Sequence, residues 1–159
     1  MGEGWGEGEN AYLNSFSNKV IDEKEAEYME QMYRELILDH ARNGRNFDLL
    51  ENPDFDHEEH NPLCGDRLRL MLKVEDGIIT EVGWEGDGCA ISQASASMFG
   101  EQLIGMPLKD AMKLDKQVVL DNIGLDLTIN RVKCATLSLK TLLVGAIGKE
   151  YWEKVEDDE

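Results

Sequence analysis

The stretch Arg67-Leu68-Arg69-Leu70-Met71-Leu72-Lys73-Val74-Glu75-Asp76-Gly77-Ile78-Ile79-Thr80-Glu81-Val82-Gly83-Trp84 decides the fold class. Leu68, Leu70, Leu72 and Val74 alternate with Arg67, Arg69, Met71 and Lys73, the period of a half-buried strand. Asp76-Gly77 is a hairpin turn signal. Beyond it Ile78, Thr80, Val82 and Trp84 alternate with Ile79, Glu81, Gly83 and Glu85, which predicts a second strand antiparallel to the first.

Helical patterns flank this hairpin. Met29, Met32, Tyr33, Leu36, Ile37 and His40 recur at helical spacing and predict an amphipathic helix over about 25–43, stopped by Asn43-Gly44. Residues 46–62 carry acids, prolines and asparagines with little periodicity and read as a loop. After Gly86-Asp87-Gly88, the small residues Ala90, Ala94, Ser95, Ala96 and Ser97, with Ile91, Met98, Phe99 and Leu103, predict a closely packed helix ended by Gly105. Pro107 suits a first helical position, and one or two short helices are expected before Gly124. Ala135, Leu139, Leu142, Leu143, Ala146 and Ile147 mark a long helix that Cys134 is expected to open.

The chain has 159 residues, enough for one domain with a core. Residues 1–24 begin with a Gly/Glu alternation and are expected to be a disordered acidic extension, because they lack the apolar surface to offset ordering entropy. Residues 25–152 form the expected domain, and 153–159 an acidic tail. With 33 acidic and 16 basic residues the formal charge is −17, which opposes binding to nucleic acid or anionic membrane surfaces. No apolar run approaches the roughly 20 residues of a membrane span, so a cytoplasmic location is expected.

The three cysteines carry the chemistry. They lie in Asn61-Pro62-Leu63-Cys64-Gly65-Asp66, Gly86-Asp87-Gly88-Cys89-Ala90-Ile91-Ser92 and Arg131-Val132-Lys133-Cys134-Ala135, spaced 25 and 45 residues apart. An odd, sparse set does not read as a disulfide scaffold. Each stands at a turn or an expected helix start rather than within an apolar stripe, which favours thiolates over buried filler. Cys89 and Cys134 would gain from helix N-termini, and Cys134 also from Arg131 and Lys133. Asp66 can reach the same ion as Cys64 if the backbone turns at Gly65, and three thiolates with one carboxylate make four ligands.

Other reactive types are weaker candidates. His57-Glu58-Glu59-His60 has the wrong spacing for a helical zinc-protease motif. His60 competes with Asp66 as fourth ligand, and His40 reads as a packed core histidine. Ser95 and Ser97 lack a nearby base and read as packing residues.

These motifs resemble the iron-sulfur cluster scaffold proteins of the NifU N-terminal type, which include IscU and SufU. The resemblance spans about residues 28–150. It is carried by Ile37-Leu38-Asp39-His40 with Arg45-Asn46, by the Cys64 and Asp66 motif, by the run from Gly86 to Met98, and by Arg131 to Leu137. It implies an α+β fold, a small three-stranded antiparallel sheet packed against helices, with a short strand before Cys64 that periodicity does not reveal. It also implies that Cys64, Asp66, Cys89 and Cys134 ligate a cluster or zinc at one exposed end. Lys133 stands where IscU-type proteins carry histidine, as in SufU-like proteins, yet the 45-residue spacing omits the usual SufU insertion. Leu127-Thr128-Ile129-Asn130-Arg131 replaces the IscU chaperone-binding segment, which argues against a dedicated Hsp70 chaperone.

The function so implied is a scaffold that takes sulfur from a cysteine desulfurase, adds iron, builds a labile [2Fe-2S] cluster and passes it to apo acceptor or carrier proteins. The alternative is a SufU-like sulfur relay in which Zn²⁺, expected in the resting form, holds the thiolates. Cys64 and then Cys134 are the candidate persulfide acceptors. A structural zinc module and a zinc hydrolase using Glu85 or Asp87 as base are remote alternatives.

Overall fold

The computed structural model describes residues 22–157. Helix α1 (Glu23–Arg42) is followed by strands β1 (Phe55–Asn61), β2 (Asp66–Glu75) and β3 (Ile78–Asp87). Then come α2 (Ala90–Leu103), α3 (Leu108–Ala111), α4 (Lys116–Ile123), α5 (Ile129–Ala146) and α6 (Lys149–Asp157). The chain divides into two units between Gln31 and Met32, so the first turns of α1 belong to the earlier one. There Asp22 and Glu25 form a reciprocal cap: Glu25 N donates to Asp22 Oδ1 at 2.8 Å and Asp22 N to Glu25 Oε1 at 3.3 Å.

The strands make one antiparallel sheet in the order β1-β2-β3. Asp76 and Gly77 have φ of 52° and 79°, the positive pair that a tight two-residue hairpin needs. Leu68, Leu70 and Leu72 are buried, as their alternation predicts, but the alternation of β3 is not kept throughout. The register slips between Lys73 and Val74, leaving Thr80 unpaired, so Ile79 rather than Thr80 joins Val82 and Trp84 in the core. A one-residue bulge inverts the side-chain pattern on one side of it.

β1 occupies part of the segment that periodicity assigns to a loop. Phe55 is the one apolar residue in Phe55–Asn61, so no hydrophobic alternation marks it. Arg69 pairs with Asp56 at 2.8 Å and Arg67 with Glu58 at 3.0 Å, tying this polar edge strand to β2. Helix α5 packs along β1 and β2 while α2 packs on β3. Leu139, Leu142 and Leu143 of α5 meet Leu68, Leu70, Trp84, Phe99 and Leu103 in the main core, each such side chain contributing about 1.5–3 kcal/mol on burial. A smaller cluster of Ile37, Ala94, Met98, Ile123 and Ala135 joins α1, α2, α4 and α5.

The helix ends bear on the site. α5 begins at Ile129, where Thr128 Oγ1 accepts from Arg131 N at 3.3 Å, so Cys134 lies in the second turn and does not open the helix. Ile129 is exposed and the buried stripe begins only at Cys134, which is why the pattern suggests a later start. The expected tail from 153 is helical through Asp157, with Trp152 buried and Val155 packed on the core. The expected extension at 1–24 lies outside the described residues as far as 21, as do 158 and 159 of the tail. No described helix is long and apolar enough to cross a membrane.

Candidate metal centre

Register places the donors. Asn61 opposite Asp66 is the last pair of β1 and β2, and Arg67 opposite Asp87 the last of β2 and β3. One end of the sheet therefore carries the Cys64 loop, the start of β2 and the Gly88-Cys89 connection to α2. Gly65 has φ 75°, the left-handed conformation that turns the chain back from Cys64 into Asp66. Cys134 approaches from α5, which underlies β1 and β2.

Sulfur and oxygen atoms converge there. Cys134 Sγ lies 3.0 Å from Cys64 Sγ. The donor atoms of Cys64, Asp66 and Cys134 all lie within 4.8 Å of one another, and Cys89 Sγ is 3.9 Å from Asp66 Oδ2. Cys89 caps α2 as its position predicts, and its N–H donates to Asp66 Oδ1 at 2.9 Å. Gly88 permits this: a Cβ there would run into the Asp66 carboxylate and the Ser92 hydroxyl. Ser92 Oγ donates to Cys89 O at 3.1 Å and stands 4.0 Å from the Cys89 sulfur.

Exposure grades across the group. Asp66 is 1% exposed and Cys134 fully buried, Cys89 is half-buried, and Cys64 is exposed at the rim beside exposed Leu63. Burial first, then hydrogen bonding with Cys64, Asp66 and Cys89, pushes the Cys134 thiol far above its ordinary range. The expected help from neighbouring cations is not what governs this sulfur. Lys133 is instead paired with Glu156 at 2.9 Å, and that glutamate's backbone oxygen accepts from Lys116 at 3.0 Å.

Soft thiolates with one hard carboxylate, the donor atoms of Cys64, Asp66 and Cys134 within 4.8 Å of one another and Cys89 beside the same carboxylate, are the donor types that suit a zinc ion or an iron-sulfur cluster. His60 does not join them: it lies on the exposed side of β1, 3.1 Å from Glu58. His40 is buried, with Nδ1 2.7 Å from Ser97 Oγ. Glu85, a candidate hydrolytic base, is bound by Arg67 at 3.3 Å and Arg69 at 3.7 Å, and these hold its carboxyl below the ordinary range. Asp87 is exposed at the end of β3. One neighbour was not singled out by sequence: Asn61, whose amide donates to Cys134 Sγ at 3.7 Å across 73 positions of chain.

A three-stranded sheet whose end carries Cys64, Asp66 and Cys89, with Cys134 brought beneath it by α5, defines a small α+β domain with a thiol-rich donor cluster at one end. Residues 32–157 match the NifU-like N terminal domain, and the chain belongs to that family. It is 34% identical over 139 residues to the zinc-dependent sulfurtransferase SufU of Bacillus subtilis, covering 77% of this chain and 94% of that one. It is 36% identical over 129 residues to the iron-sulfur cluster assembly scaffold protein IscU of Thermotoga maritima, covering 71% and 91%. Among solved structures, the crystal structure assigned to an iron-sulfur cluster assembly scaffold protein for the SUF system of Fervidobacterium islandicum superposes with TM-score 0.58 at 31% identity. That match covers 70% of this chain and 93% of the other.

Proposed function

We propose that the protein is an iron-sulfur assembly scaffold: it receives sulfur from a cysteine desulfurase, combines it with iron as a labile [2Fe-2S] cargo, and hands the cluster to an apo acceptor. The observation that carries this is the mixed donor set at a rim, with exposed Cys64 beside buried Asp66 and Cys134. A carboxylate is a harder and weaker partner for a cluster than a thiolate, so a site with Asp66 in it releases cargo that a four-thiolate site would retain. The likeness to the cluster assembly scaffold IscU of Thermotoga maritima and to the SUF-system scaffold structure supports the assembly role.

Cys64 is the residue for sulfur acceptance, because its sulfur is reachable where that of Cys134 is not. Its thiolate attacks the outer sulfur of the donor's persulfide, the donor's S–S bond breaks and the donor thiolate leaves. Taking that sulfur on to sulfide requires two electrons, supplied by ferrous iron and a thiol reductant. Cys134 and Cys89 hold the product from beneath, and Asp66 positions Cys89 through its amide.

The second reading, a zinc-bound sulfur relay, is supported by Lys133 in the position before Cys134 and by the likeness to a zinc-dependent sulfurtransferase. Zinc, when bound by these residues, would stabilise the thiolates as a Lewis acid. Anaerobic incubation with a desulfurase, cysteine, ferrous iron and a thiol reductant, with and without zinc, separates the two. The visible absorption of a cluster supports the scaffold; persulfide on Cys64 with no cluster supports the relay, and neither signal overturns both.

A further inference from the structure

Asn61 closes β1 and is 5% exposed. Its backbone oxygen accepts from Cys64 N at 3.2 Å and Gly65 N at 2.8 Å. Its side-chain Oδ1 accepts from Leu63 N at 3.3 Å, an Asx turn that shapes the loop leading to Cys64. A backbone N–H can only donate, so this bond fixes which way the amide faces and leaves Nδ2 as the group on Cys134 Sγ, 3.7 Å away. One residue thus grips the Cys64 loop with two oxygens and reaches α5 with its nitrogen.

We propose that Asn61 is a positioning residue for the thiolate donors, keeping its N–H on the Cys134 sulfur when a soft metal ion is bound and so fixing the Cys64 loop against α5. The inference rests on the metal-site reading above and adds a residue to it. Hydrogen bonds to ligating sulfur withdraw electron density and orient the ligand, and outer partners of this kind commonly govern metal affinity. A neutral amide does this without adding charge. The same residue couples the most exposed sulfur to the most buried one, so a disturbance of the Leu63 tip reaches Cys134 through a single side chain.

The test loads the full chain with Co²⁺ and compares wild type with Asn61→Ser, Asn61→Thr and Asn61→Ala. A serine or threonine hydroxyl can still accept the Leu63 N–H in an equivalent turn but stops short of the sulfur. Both are expected to melt close to wild type, to move the sulfur-to-cobalt charge-transfer band to lower energy, and to lose metal to a chelator about 10-fold faster. Asn61→Ala is expected to add a loss of thermal stability, since it gives up the turn as well. Asn61→Thr suits a strand end and carries the comparison alone if serine weakens folding. Wild-type band energy and wild-type chelation kinetics in the folded variants overturn the proposal. Absence of any sulfur-to-cobalt band in the wild-type chain overturns the metal-site reading itself, an outcome visible before any variant is compared.

Discussion

The N–H of Cys89 donates to Asp66 Oδ1 at 2.9 Å, while Asp66 Oδ2 lies 3.9 Å from the sulfur of the same cysteine. One buried carboxylate therefore ties the start of β2 to the start of α2 and faces a thiol at once. Its structural and chemical duties can be separated by substitution. Asp66→Ala leaves the Cys89 N–H without its acceptor and is expected to lose about 1–3 kcal/mol in chemical denaturation. Asp66→Ala and Asp66→Cys are both expected to slow cluster transfer to an apo acceptor about 10-fold, and unchanged transfer in both counts against a release role.

Gly88 sits where any side chain would collide with the Asp66 carboxylate and the Ser92 hydroxyl. Relieving that collision must move Asp66 or the first turn of α2, because β2 fixes the aspartate from the other side. Gly88→Ala is expected to cost about 1–3 kcal/mol and to weaken zinc binding in a chelator competition. Wild-type affinity in a folded Gly88→Ala protein would show that the donors do not need this close approach.

The legible parts of the sequence were those where burial and period agree. Leu68, Leu70 and Leu72 announce β2, and the Asp76-Gly77 turn announces its partner. Strict alternation puts Ile79 on the face opposite Val82 and Trp84, and the bulge at Thr80 that turns it into the core leaves no mark in composition. β1 was hidden because its pairing rests on arginine–carboxylate contacts, and it was expected only through family resemblance. The acids of 153–157 masked α6, although Trp152 and Val155 stand three apart on its inner side. In the site, the cysteines and Asp66 announce themselves by local motif. The contact of Asn61 with Cys134 depends on how α5 meets the end of β1, and no local pattern encodes that.

His40 makes stability depend on pH. Ser97 Oγ accepts the Arg45 N–H at 2.9 Å and lies 2.7 Å from His40 Nδ1, where its own proton can be given to a neutral ring. Burial, followed by the charge of Arg45, lowers the pKa of His40 below its ordinary 6.5, against smaller opposing effects of Glu101 and Asp39. The unfolded chain then binds the proton more readily than the folded one. Stability is fully present above the unfolded pKa and falls as pH drops below it toward the folded value. Denaturation midpoints are expected to decline between pH 7.5 and pH 5, less steeply in His40→Asn, whose own cost of a lost hydrogen bond is about 1 kcal/mol at pH 7.5. Equal slopes for the two proteins would remove His40 as the cause.

Cys64 and Cys134 touch at 3.0 Å yet differ completely in access, since the first is exposed and the second buried under the sheet. A desulfurase persulfide must approach the attacking sulfur in line with its own S–S bond, which the rim allows and the helix interior does not. In single-turnover reactions analysed by mass spectrometry, Cys64→Ser is therefore expected to abolish persulfide on the protein. Cys134→Ser is expected to leave Cys64 persulfidation within a few-fold of wild type while preventing stable cluster or metal retention, because its sulfur is removed from beneath the site. Persulfide found first on Cys134 in the wild-type chain would require α5 to open before sulfur arrives, and would reverse the order of roles derived from burial.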